Sequence, residues 1–170
     1  MTVSPAVKHD EMIVVGLGEM QVAGNCSLVL ACLGLGSCIG VSAYDPEARV
    51  GAMVHIVLPH GNNADSLKSP TKYANTALPY MVKEMEKLGA AKRRIILKIA
   101  GGAKIISTVP TGSILDIGDR NISAVKDAIF ENDLRLKTEE LRGTLGRSMW
   151  LYIETGVTKL RTTSGPMVEI

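Results

Sequence analysis

Apolar residues in the first sixty positions come in short runs bounded by glycine, proline and polar residues, the pattern of β-strands rather than of helices. Residues 12–17 and 27–33 read as two short strands separated by the polar, glycine-bearing segment 19–25. Residues 39–44 and 50–58 flank the turn signal Asp45-Pro46-Glu47-Ala48-Arg49 and predict a β-hairpin that ends at Pro59. The period then changes. Ala74, Ala77, Leu78, Met81, Val82, Met85 and Leu88 recur at three- and four-residue intervals, which predicts an amphipathic helix with one face on a sheet. Gly89 closes it, and Pro79 within it predicts a kink or a restart near Leu78. Residues 62–70 are polar and read as a loop. Residues 95–100 read as a buried strand, 101–118 as a long glycine-rich loop, and 121–131 as a second helix. Ile122, Val125 and Ile129 form the inner face of that helix, with Asn121 or Asp119 as its cap. Strands at 134–138, 149–154 and 157–162 follow, the last two joined by a Thr155-Gly156 turn. The pattern predicts an α+β fold, a mixed, largely antiparallel sheet packed with helices.

The hairpin allows a sharper reading, because parity fixes the face on which each strand residue points. If Tyr44 pairs with Arg49, then Ala43 faces Val50, Val41 faces Ala52 and Ile39 faces Val54, an entirely apolar face. The other face sets Cys38 directly across from His55, with side-chain roots about 5 Å apart. A slip of two residues keeps the pair on one face as diagonal neighbours. A slip of one would expose half of the apolar set, so burial selects the registers that keep Cys38 and His55 together.

Length and composition narrow the functional classes. A chain of 170 residues suits one domain, 1–170, with residues 1–11 and 163–170 expected as flexible termini. A net charge of +2, with one tight basic cluster at Lys92, Arg93 and Arg94, is too little for the dense basic stripe that nucleic acid requires. No stretch approaches the roughly 18 apolar residues of a membrane span, and no secretory apolar run opens the sequence, so a cytoplasmic monomer is expected. Three cysteines, Cys26, Cys32 and Cys38, form an odd set at six-residue spacing. That argues against a disulfide framework and matches no usual zinc pattern, so neither metal nor cofactor is expected.

A thiol beside an imidazole is the minimal apparatus for nucleophilic attack on a carbonyl: Cys38 as nucleophile and His55 as its base. The preceding turn, with Gly36 and Ser37, is able to present backbone N–H groups to an oxyanion. The competing reading is structural, with Cys38 a buried inert thiol and His55 a satisfied polar group on a strand. Cys26 reads as structural, and His9 and His60 have no identifiable partner.

The run Leu33-Gly34-Leu35-Gly36-Ser37-Cys38-Ile39-Gly40-Val41, then Asp45 and Gly51-Ala52-Met53-Val54-His55-Ile56-Val57-Leu58-Pro59, resembles the CheD family of chemoreceptor glutamine deamidases. Tyr73-Ala74-Asn75-Thr76-Ala77, Gly89-Ala90, Lys98-Ile99-Ala100-Gly101-Gly102-Ala103, Ile117-Gly118-Asp119-Arg120-Asn121, Gly143 and Gly146-Arg147 continue it in order, from about residue 13 to 160. The resemblance implies an α/β sandwich, conversion of glutamine to glutamate on chemoreceptor cytoplasmic helices, and in some members hydrolysis of glutamate methyl esters. It also implies CheC, a phosphatase of the response regulator CheY, as a partner that occupies the active-site face. The family's nucleophile and base fall on Cys38 and His55, and its third member, a threonine, falls on Cys32. A segment implicated in partner contact falls on Ala100, Gly101 and Gly102, with Ala100 where a large apolar residue is common. The competing functional classes are a binding module that regulates CheC or a receptor, and a cysteine hydrolase with an unrelated amide substrate.

Overall fold

The computed structural model describes residues 11–105 and 116–170, and there the short apolar runs become two five-stranded sheets. The first holds, in spatial order, β1 (Glu11–Val14), β3 (Leu28–Leu35), β8 (Arg147–Tyr152), β9 (Thr158–Thr162) and β10 (Met167–Glu169). The second holds β2 (Met20–Gly24), β5 (Val50–Ile56), β4 (Ile39–Asp45), β6 (Ile96–Gly101) and β7 (Arg135–Leu141). Neighbours run antiparallel except β1 with β3 and β6 with β7, so the expected mixed, largely antiparallel α+β architecture is observed.

The strands divide into two sheets because the central ones are apolar on both faces and need cover on both sides. Every residue of β5 is buried. One face of the second sheet, through Ile39, Val41, Val54, Ile56, Leu97 and Ile99, packs on α2 (Ala74–Lys87) and α3 (Ile117–Glu131). The helices answer with Leu78, Met81 and Met85 from α2 and Ile122 and Val125 from α3. The opposite face meets the first sheet, where Met53 lies among Leu30, Leu35, Met149, Leu151 and Ile153. The order of layers is therefore helices, second sheet, first sheet.

Several local expectations change. The polar segment 19–25 contains β2, an edge strand whose one polar residue, Gln21, is exposed. The loop expected at 62–70 contains α1 (Asn63–Lys68), started by the Asn62 side chain accepting from the Asp65 N–H. Pro79 forfeits the bond to the Asn75 carbonyl, yet α2 runs through it, its buried face from Ala74 to Met85 holding the axis. The second predicted helix starts earlier, at Ile117, and is capped by Asp116, whose side chain accepts from the Asp119 N–H. At the end of the chain Met167–Glu169 pairs with β9. Ten of the eleven N-terminal residues expected to be flexible, and the middle of the 101–118 loop, lie outside the described residues.

The hairpin of β4 and β5 pairs Asp45 with Val50, Tyr44 with Gly51, Gly40 with His55 and Ile39 with Ile56. This is the expected register displaced by two residues. The cause is Asp45, which belongs to the strand rather than the turn. Its carboxylate accepts the Glu47 and Ala48 N–H groups at 3.0 and 3.2 Å, closing the turn behind it. It also accepts the Ala91 N–H at 2.8 Å and the Arg94 Nε at 3.0 Å. Burial alone would raise the Asp45 pKa, but Arg94 and the backbone donors hold it down at about 2.

Candidate functional site

A displacement of two preserves parity, so Cys38, one residue before β4, and His55 share the face turned toward the first sheet. They are diagonal neighbours, with side-chain roots about 7 to 8 Å apart rather than directly opposed. Between them lies Gly40, paired with His55 on one side and Ala100 on the other. A Cβ on Gly40 would stand 2.8 Å from a Leu35 methyl and 3.5 Å from the Cys32 Cβ, so the absent side chain lets the first sheet close over the pair.

His55 is 3% exposed, and its Nδ1 lies 3.3 Å from the Val15 carbonyl. A carbonyl only accepts, so Nδ1 carries the ring proton and Nε2 presents its lone pair. That Nε2 is buried and has no partner among the described residues. Leaving such an acceptor unpaired costs about 1 to 3 kcal/mol. Burial pulls the His55 pKa down, against the Val15 bond, which favours the charged ring. Burial likewise pushes the half-buried Cys38 thiol up. Both shifts favour the neutral form of the group concerned.

Cys32 is fully buried between the sheets, and burial first, then the nearby Cys38, pushes its thiol up to about 12. Its thiol is therefore protonated at neutral pH. The atom that orients His55 is the Val15 carbonyl, held in place where β1 runs parallel to β3 and the Val15 N–H donates to Ala31 at 2.8 Å.

The loop before Cys38 is fixed by its carbonyls. Gly36 accepts from the Ala103 N–H at 2.7 Å, Ser37 from the Asn121 Nδ2 at 2.9 Å, and Cys38 from the Gly102 N–H at 2.9 Å. Gly101, at φ +124°, runs so close that a Cβ there would lie 2.1 Å from the Cys38 carbonyl oxygen. Gly101 and Gly102 thus meet the loop that carries Cys38 through their backbone. Ala100 is fully buried in the layer between the sheets, so the 100–102 segment offers no side chain to a partner surface.

Cys38 opens on a pocket of about 400 Å³ lined also by Gly34, Gly36, Ser37, Ala103, Lys104, Ile105 and the start of α3 at Asp116, Ile117 and Gly118. Lys104 Nζ and Asp116 Oδ2 approach to 3.9 Å at its edge. His55, 3% exposed, is not among the residues that line the pocket. Among the described residues no group of three His, Cys, Asp or Glu side chains could hold a metal ion, and no helix is long and apolar enough to cross a membrane.

Val15 acts through its main chain, so no sequence signal could have found it. Asn121 did leave one: a polar residue adjoining the apolar inner face of a helix, which reads as a cap until the fold shows what it reaches. Lys104 and Asp116 carry no pattern of their own.

The profile of the family described as CheD chemotactic sensory transduction matches residues 57–162. A probable chemoreceptor glutamine deamidase CheD of Symbiobacterium thermophilum is 45% identical over 143 residues, 84% of this chain and 87% of that protein. A protein of the same name from Desulforamulus reducens is 37% identical over 160 residues, 94% of this chain and 96% of its own. One from Archaeoglobus fulgidus is 40% identical over 144 residues, covering 85% and 88%.

Proposed function

Since this chain belongs to the CheD family, we propose that it is a cysteine-dependent protein-glutamine deamidase acting on the cytoplasmic helices of chemoreceptors. The observation that carries this reading is the pocket lined by the half-buried Cys38, with the unpartnered Nε2 of His55 on the same face of the sheet. A glutamine side chain enters the pocket, and the Cys38 sulfur bonds to the amide carbon as His55 takes the thiol proton. The C–N bond then breaks, and His55 returns the proton to the departing ammonia, leaving a thioester. His55 next draws a proton from water, whose oxygen attacks the thioester carbon; the C–S bond breaks, and glutamate and the thiol are restored. A glutamate methyl ester would follow the same path with methanol leaving first.

Each turnover places a negative charge on a receptor helix and creates a site that methylation can later neutralise, which adjusts the receptor's signalling bias. If CheC restrains the enzyme by covering its active-site face, the rim it meets is Gly34, Lys104 and Ile105 rather than the buried Ala100.

The test is intact-mass spectrometry of a purified receptor cytoplasmic fragment incubated with the protein and with its Cys38→Ala variant. Each conversion raises the mass by about one unit, because an amide NH₂ is replaced by OH. A shift with the unaltered protein alone, mapped to glutamines, supports the proposal. No shift with a folded enzyme and bound receptor would overturn it in favour of a binding module.

A further inference from the structure

The loop that delivers Cys38 has three successive carbonyls, those of Gly36, Ser37 and Cys38, each held by an N–H. Two of the donors are main-chain groups, of Ala103 and Gly102. Asn121 is the side-chain exception. It is fully buried in α3, and its amide nitrogen donates at 2.9 Å both to Ser37 and to the Val57 carbonyl. Those residues stand just beyond the last rungs of β4 and β5, so one amide bridges the two arms of the hairpin where they part. Two carbonyl partners also settle which end of the amide faces the loop, since only its NH₂ can donate to both. The helix cannot easily drift from this contact. A Cβ on Gly118 would stand 2.9 Å from the Gly102 carbonyl oxygen, so α3 sits directly on the turn that holds Cys38.

The consequence follows from peptide planarity. The Ser37–Cys38 bond is trans, so its C=O and N–H point in opposite directions. Asn121 draws the Ser37 carbonyl toward the helix layer, the side on which Ile39 is buried. The Cys38 N–H is thereby turned to the other side of the sheet, the side that bears its own thiol and His55. Resting on the reading of Cys38 as nucleophile, we infer that Asn121 is a positioning residue for acyl transfer: by fixing the Ser37–Cys38 peptide it aims the Cys38 N–H as a donor to the tetrahedral oxyanion.

Two reagents separate this role from a general structural one. Acylation by p-nitrophenyl acetate forms the Cys38 S–C bond through a tetrahedral oxyanion. The acyl C–O bond then breaks, p-nitrophenolate leaves with the electron pair, and the thiol proton passes through His55 to solvent. Alkylation by iodoacetamide displaces iodide at a saturated carbon and forms no oxyanion. Both rates are measured on full-length protein carrying Cys26→Ser, with and without Asn121→Ala or the near-isosteric Asn121→Asp. Acylation should fall by about 10²-fold in both variants while alkylation stays within about twofold, the loss expected for one oxyanion donor. An equal fall in both rates, or no fall in acylation, overturns the inference, and so does failure of both variants to fold, which would make Asn121 a stability residue. If acylation depends on Asn121 but receptor glutamines remain unconverted, the substrate reading fails and this one stands. If the unaltered protein and both variants deamidate a receptor fragment with equal kcat, this inference fails and the substrate reading stands.

Discussion

Replacing Gly101 by alanine tests how far the loop that carries Cys38 depends on a backbone contact. The new Cβ would lie 2.1 Å from the Cys38 carbonyl oxygen, and the residue would be held at φ +124°. A side chain in that region of backbone space costs about 1 to 3 kcal/mol. The clash cannot be relieved by a flexible side chain, because the atom it meets is main chain and already accepts the Gly102 N–H at 2.9 Å. Breaking that bond adds about 0.5 to 1.5 kcal/mol, for a total of about 1.5 to 4.5 kcal/mol. For a chain of this length each kcal/mol lowers Tm by about 2 to 4 °C, so a fall of about 3 to 18 °C is expected. Gly89→Ala is the control, because Gly89 has φ +96° and nothing within 4 Å of its would-be Cβ. It carries the strain without the clash or the lost hydrogen bond and should lose only what the strain costs, about 1 to 3 kcal/mol. The assay is thermal unfolding followed by circular dichroism, with the rate of iodoacetamide alkylation at Cys38 measured on each protein. Equal Tm losses for the two variants, with Cys38 reactivity unchanged in Gly101→Ala, would refute the reasoning.

The remaining predictions concern charge and the candidate pair. Asp45 has a folded pKa of about 2, below its unfolded value, so its stabilisation is complete above roughly pH 5 and disappears as pH falls toward 2. After allowance for screening at the partly exposed Arg94, this amounts to about 1 to 2 kcal/mol, and Asp45→Asn should flatten the acid limb of a stability profile by that amount. An acid limb of unchanged steepness in the variant would contradict it. Because burial raises the Cys38 thiol and lowers His55, the alkylation rate of Cys38 should climb with pH to a midpoint above the ordinary thiol value of about 8.5. A plateau already reached at pH 6 to 7 would instead reveal a thiolate–imidazolium ion pair. Cys32→Val should keep kcat for deamidation within about threefold, under 1 kcal/mol of transition-state stabilisation, since the Val15 carbonyl orients His55. A hundredfold loss would return Cys32 to the catalytic group.

Parity and period were legible in the residues alone. Alternation along residues 39–44 and 50–56 decided that Cys38 and His55 share a face, because any register that buries Ile39, Val41, Val54 and Ile56 leaves those two on the other side. The three- and four-residue spacing from Ala74 to Met85 determined α2 in the same way. Tertiary structure decided everything that depends on contacts distant in the chain. The register moved by two because Asp45 is claimed by Ala91 and Arg94, more than forty residues away. One sheet became two because β3 and β4, adjacent in sequence, bury opposite sides of a shared layer. His55 is oriented by a carbonyl 40 residues earlier, and the Ser37 peptide by an amide 84 residues later. Main-chain groups such as those of Val15 and Gly102 carry the same chemistry at every position, so only the fold could say which of them would bond His55 and the Cys38 loop.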